Sequence, residues 1–171
     1  MSFHRDLLRQ ARQLATHEPR RPRQASLRRA TSAAYYALFH LLINEATTRL
    51  VSGRDRQRLR QVLGRAFSHY EMRSVAKSFA SGGVAPRLQF AMHGEPVQRE
   101  LRKVATAFVD LQAARHEADY DTARRFTREE SLGLVEQAET AFENWRLVRR
   151  SLQADTFLVS LLAQKQMKAG S

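Results

Sequence analysis

"SLRRATSAAYYALFHLL", residues 26–42, decides the fold. Leu27, Ala30, Ala34, Leu38, Leu41 and Leu42 recur at helical spacing, and Phe39, Ile43 and Ala46 widen the apolar arc. A helix apolar over so wide an arc belongs in the middle of a bundle. Yet Arg29, Ser32, Tyr36 and His40 interrupt it. At helical rotation, Arg29, Tyr36 and His40 fall within about 40° of one another, with Ser32 beside them. Buried polar groups need partners, so another helix must bring a complement. "RHEADYD", residues 115–121, offers one: Arg115 and Asp119 stand one turn apart, and Tyr120 follows. Asp119 is expected to receive Arg29 or the Tyr36 hydroxyl, and the seam to lock two core helices in register.

The rest of the chain also reads as helix. No segment alternates apolar and polar residues under β-branched enrichment, whereas a 3.6-residue period recurs. Residues 3–17 form an amphipathic helix, and "EPRRPRQA" with its two prolines ends it. Ser26 is the expected N-cap of the central helix, which runs to about Ser52 before Gly53. Residues 54–81 are helical with a break near 68, and His69 is a cap candidate there. Residues 82–96 read as a long loop, and Pro96 suits the first position of the helix that ends at "ADYD". Thr127 with Glu130 is a capping box for a helix burying Leu132, Val135, Ala138, Phe142 and Trp145. These elements predict an all-α, up-and-down four-helix bundle over residues 1–150, with additional short helices. Residues 151–171 form a C-terminal helical extension whose apolar part, 156–163, packs back or meets a partner.

Composition narrows the function classes. The chain of 171 residues carries a net charge of +12, and cations are unevenly spread. Residues 1–65 hold 14 of the 29 basic side chains and only 4 of the 17 acidic ones. Arginine supplies 25 of the 29, and its planar fork suits phosphate. The alternative is a plain solubilising use of arginine. Arg29, Arg54, Arg58 and Arg65 are the candidate RNA or phosphate contacts, the last three sharing one stripe of the third helix. Cysteine is absent, which removes disulfides and thiolate metal sites and suits a reducing compartment. No apolar run is long enough to span a bilayer. The expectation is a cytoplasmic protein with no membrane partner, no metal and no cofactor. Glycine-rich phosphate loops, metal-holding histidine pairs and a compact helix-turn-helix are missing from the sequence.

Three motifs in order, "RRATSAAYYALFH", "FSHYEMRSVAKSF" and "RHEADYD", resemble the HEPN superfamily of small helical-bundle proteins, over roughly residues 5–145. The resemblance implies a homodimer working on RNA or nucleotides. Many relatives are metal-independent ribonucleases of toxin–antitoxin or phage-defence systems; others are non-catalytic companions of a nucleotidyltransferase. Catalytic relatives carry an arginine followed, after four to six residues, by a histidine near the start of the last long helix. Arg115 lacks such a histidine, and only Arg12–His17 and Arg87–His93 meet the spacing, both outside that region.

Two readings of the seam follow. As a ribonuclease, Arg115 would hold phosphate, His116 would shuttle the proton, and Tyr36 and Asp119 would orient them, with His40 and His69 as other proton carriers. As a binding module, the same residues with Ser32 and Tyr120 only pin the helices, while the free arginines bind the polyanion. A third class is pairing with an antitoxin or a nucleotidyltransferase, through the apolar tail.

Overall fold

The computed structural model describes residues 2–18 and 20–169, with side chains to residue 167. Among these, all regular structure is helical. The α-helices are α1 (Phe3–Thr16), α2 (Gln24–Leu50), α3 (Gln57–Gly64), α4 (His69–Ser81), α5 (Pro86–Ala91), α6 (Arg99–Tyr120), α7 (Arg128–Val148) and α8 (Leu152–Ala169). A short 3₁₀ turn, Arg54–Arg56, precedes α3. Pro19, expected to help end the first helix, lies outside the described residues, as do Gly170 and Ser171 of the tail.

Local chemistry shifts several expected boundaries. The central helix begins at Gln24, so Ser26 is an interior residue and not its N-cap; its amide donates to Arg23 O. Gln24 holds this earlier start by a reciprocal bond pair, donating from Nε2 to Phe126 O at 2.7 Å and accepting from Phe126 N at 2.9 Å. The end comes at Leu50, two residues before Ser52. The expected loop at 82–96 contains α5, because Pro86 sits where helix φ is already set and no amide is required. Gly82 closes α4 at φ 78°, a left-handed conformation that glycine adopts without strain. Pro96 does not open α6, which starts at Arg99. Instead Pro96 O accepts from Gln153 Nε2 at 2.9 Å, while Gln98 N donates to Gln153 Oε1 at 2.7 Å. The capping box is formed as drawn: Thr127 N donates to Glu130 Oε2 and Glu130 N to Thr127 Oγ1.

The chain divides into two compact units, with cuts falling within α2, α6 and α7. Unit one, residues 1–41 and 107–143, joins four helical segments. Arg12 of α1 forks onto Glu139 of α7 at 2.8 and 2.6 Å, and Gln137 of α7 donates to Asp110 of α6. The core centres on Tyr35, Leu38 and Phe108, all fully buried, with the Tyr35 and Phe108 rings 5.5 Å apart. On α1 the buried aromatic is His4, whose ring meets Phe142 at 5.8 Å; Phe3 is 61% exposed. Histidine reads as polar in a sequence pattern, yet its ring packs like any aromatic once its nitrogen is satisfied, here by Ser2 Oγ at 2.9 Å.

Unit two, residues 42–106 and 144–171, is organised around α4 and α8. The Phe79 and Phe157 rings meet edge-on at 4.9 Å, and Leu158 and Leu161 are buried with them. Most of the apolar run at 156–163 therefore packs within its own unit, with Val159 45% exposed. Ion pairs Arg49–Asp155 and Arg149–Glu45 border this packing.

Candidate functional site

The seam forms in unit one, where the C-terminal half of α6 lies along α2. Arg115 Nη2 donates to Tyr36 Oη at 2.8 Å, and its guanidinium carbon stands 5.4 Å from the Tyr36 ring centre. On its other side, Arg115 Nε is 2.6 Å from Asp119 Oδ2. That N–H is not aligned on the carboxylate, so the contact is a Coulombic pair more than a straight hydrogen bond. Ser32 Oγ donates to Asp119 Oδ1 at 2.5 Å. Tyr36, Arg115, Asp119 and Ser32 thus make one continuous ladder between the helices.

Electrostatics fit that ladder. Burial pulls the Arg115 guanidinium downward, but the Tyr36, Asp119 and Tyr120 oxygens outweigh it and hold it above the ordinary arginine value. Arg115 is a fixed cation, only 17% exposed. Asp119 is 29% exposed. Burial lowers His40 below the usual histidine value.

Two expected members take other roles. Arg29 does not reach Asp119; it is exposed and lines a cleft. Its neighbour Arg28 is the residue that turns toward α6. Arg28 Nη1 donates to Ala118 O and Nη2 to Asp121 O, both at 2.8 Å, and Nη2 also reaches Arg124 O. The last carbonyls of a helix lack intrahelical donors, and one guanidinium serves several of them while answering the negative end of the helix dipole. Adjacent residues differ by about 100° in direction, so only the position of α6 decides which arginine engages. His40, a proton carrier in the catalytic reading, is held by rings, edge-on to Phe3 at 4.9 Å and stacked on Tyr36 at 6.2 Å.

The remaining candidates are dispersed. His116 and Tyr120 are exposed, their rings 5.0 Å apart, and the Arg115 guanidinium lies 5.6 Å from the Tyr120 ring. His69, half-buried, opens α4 in unit two, where Ser68 is the N-cap residue. Arg54, Arg58 and Arg65 are also in unit two and exposed. They do not form one helical stripe, because Arg54 is on the 3₁₀ turn and Arg65 follows the last residue of α3. Among the described residues none of the three has an ion-pair partner.

The seam borders an open cleft of about 550 Å³ lined by α1, α2 and the end of α6. Leu7, Leu14, Ala25 and Ala33 make its apolar side; Gln10, Arg29, Ser32, Tyr36 and Asp119 make its polar side. Its size suits a small organic ligand or one segment of a chain molecule. Among the described residues no group of three histidine or carboxylate side chains could hold a metal ion. No family model, curated protein or solved structure matches the chain.

Proposed function

We propose that this chain is a HEPN-type helical bundle that binds RNA through exposed arginines without cleaving it. The observation that carries the reading is a division among the arginines. Arg115 and Arg28 are taken up by Tyr36, Asp119 and backbone carbonyls, while Arg29, Arg54, Arg58 and Arg65 face solvent with no carboxylate at ion-pair distance among the described residues. Unpaired guanidinium groups on a chain of net charge +12 favour a polyanion, and arginine favours phosphate. On this reading the seam pins α2 to α6, and the chain works as a companion to a catalytic partner, such as a nucleotidyltransferase or the second half of a toxin–antitoxin pair.

Against a ribonuclease stands the chemistry of the seam. A phosphate-holding arginine must leave donors for the substrate, and Arg115 is committed to Tyr36 and Asp119 on both flanks. His116 is adjacent in sequence and so points about 100° away around the helix.

Fluorescence anisotropy with a labelled single-stranded RNA tests the proposal. Binding should weaken steeply as salt rises. Replacing Arg54, Arg58 and Arg65 together by glutamine should lower affinity at least about tenfold, each lost phosphate contact removing one released counterion. RNA recovered after prolonged incubation should be intact. Affinity indifferent to both salt and the triple variant would overturn the reading, and so would site-specific cleavage lost in His116→Ala.

A further inference from the structure

Helix α3 sets an arginine inward and two aliphatic side chains outward. Arg60 turns inward: its Nε donates to Val51 O at 2.8 Å and Nη2 reaches Gly53 O. Gly64, one turn on, faces the same way, where an added Cβ would stand 3.4 Å from Ile43 Cγ2. Of its three aliphatic side chains, Leu63 is half-buried and the other two are on the outside. Leu59 is 52% and Val62 64% exposed, and the two are neighbours at helical spacing. Arg58 and Arg65, both exposed, flank Val62 at four and three residues' distance. Across residues 54–65 there are five arginines and one acid, Asp55. An amphipathic helix of a globular protein normally buries its apolar side; this one ties a guanidinium to the protein and turns two of its three aliphatic side chains to water.

We propose that this face of α3 rests on an anionic lipid surface, with Leu59 and Val62 entering the acyl boundary and Arg58 and Arg65 holding headgroup phosphates. Charge selects the occupant. A second copy of the chain would set like-charged arginines against each other, and RNA phosphates leave Leu59 and Val62 without an apolar counterpart. A two-residue aliphatic patch on a helix of eight residues is small for a stable protein interface. A bilayer surface supplies phosphate and hydrocarbon side by side and needs no shape match. The contact is peripheral, so the lack of a membrane-spanning helix among the described residues does not oppose it. It shares Arg58 and Arg65 with the RNA reading, since arginine serves either phosphate source, and is told apart from it by Leu59 and Val62, which only lipid uses.

Co-sedimentation of the full chain with vesicles tests this. Wild type should sediment with phosphatidylcholine–phosphatidylserine vesicles and stay in solution with phosphatidylcholine alone. The double variant Leu59→Ser, Val62→Ser should bind the anionic vesicles about tenfold more weakly while keeping wild-type RNA affinity. Arg58→Gln and Arg65→Gln should each weaken vesicle binding about fivefold. All four changes are on the solvent side, so unchanged helical circular dichroism and thermal midpoint are expected and check the fold. Anionic vesicles bound equally by the double variant and wild type would overturn the proposal, leaving charge alone. So would wild type that ignores anionic vesicles at low salt.

Discussion

Arg115 on α6 and Arg58 on α3 are both helix-borne arginines, yet they meet opposite fates. Arg115 is 17% exposed between a phenol and a carboxylate; Arg58 stands in solvent without an ion-pair partner among the described residues. The same contrast separates Arg28 from Arg29 and Arg60 from its neighbours. What decides is the acceptor within reach. The end of α6 and the turn after α2 expose carbonyls that no backbone donor serves, and Arg28 and Arg60 answer them. Arg12, Arg49 and Arg149 find carboxylates instead, whereas Arg29, Arg54, Arg58 and Arg65 have no ion-pair partner among the described residues. Composition counts all of them as one basic class, and the fold sorts them into ties and contacts.

The comparison can be broken by mutating each class and measuring stability. The largest loss is expected for Arg28→Ala, about 2 kcal/mol by urea unfolding, because several carbonyls at the α6 terminus lose a charged donor together. Arg28→Lys should recover less than half, since an ammonium cannot fork. Arg115→Ala should cost about 1–2 kcal/mol, leaving Tyr36 Oη and Asp119 short of a partner, and a cycle with Tyr36→Phe should show coupling near 1 kcal/mol. Arg58→Gln should change stability by less than about 0.5 kcal/mol. Equal losses for Arg58 and Arg115 would erase the distinction.

His40 gives a smaller, pH-dependent signal. Burial sets its folded value below its unfolded one near 6.5, so the unfolded chain binds the extra proton first. Its contribution is complete above about pH 6.5 and is lost as pH falls through the folded value. Wild type should therefore lose stability on acidification in that window, and His40→Phe should flatten this part of the profile. Smallest is Thr31→Val. The Thr31 hydroxyl is buried with no hydrogen-bond partner among the described residues, so an isosteric methyl should be neutral or stabilising by up to about 1 kcal/mol in thermal unfolding.

Much of this was legible beforehand. The all-helical class, the α7 capping box and the meeting of the 29–40 seam with residues 115–121 follow from spacing; the pairing within the seam does not, since Asp119 takes Ser32 and Arg115 where spacing offers Arg29 or the Tyr36 hydroxyl. Where the structure departs from the local signals, tertiary partners override them. Gln24 extends α2 past the better capping residue Ser26 because the backbone of Phe126 is there to receive it. Pro96 is kept out of α6 by Gln153, a residue far along the chain. Periodicity does not separate Arg28 from its neighbour Arg29 as the tie to α6; the location of the α6 terminus does. The outward turn of α3 was hidden for the same reason: its apolar arc is visible in sequence, but which side meets Ile43 is not.

The most direct test of the division between tying and contacting arginines is the RNA affinity of Arg115→Ala, measured by anisotropy where the variant remains folded. The expected affinity is within about twofold of wild type despite the loss of stability, because no phosphate contact has been removed. A drop of about tenfold or more, with circular dichroism unchanged, would contradict it and return Arg115 to the binding surface.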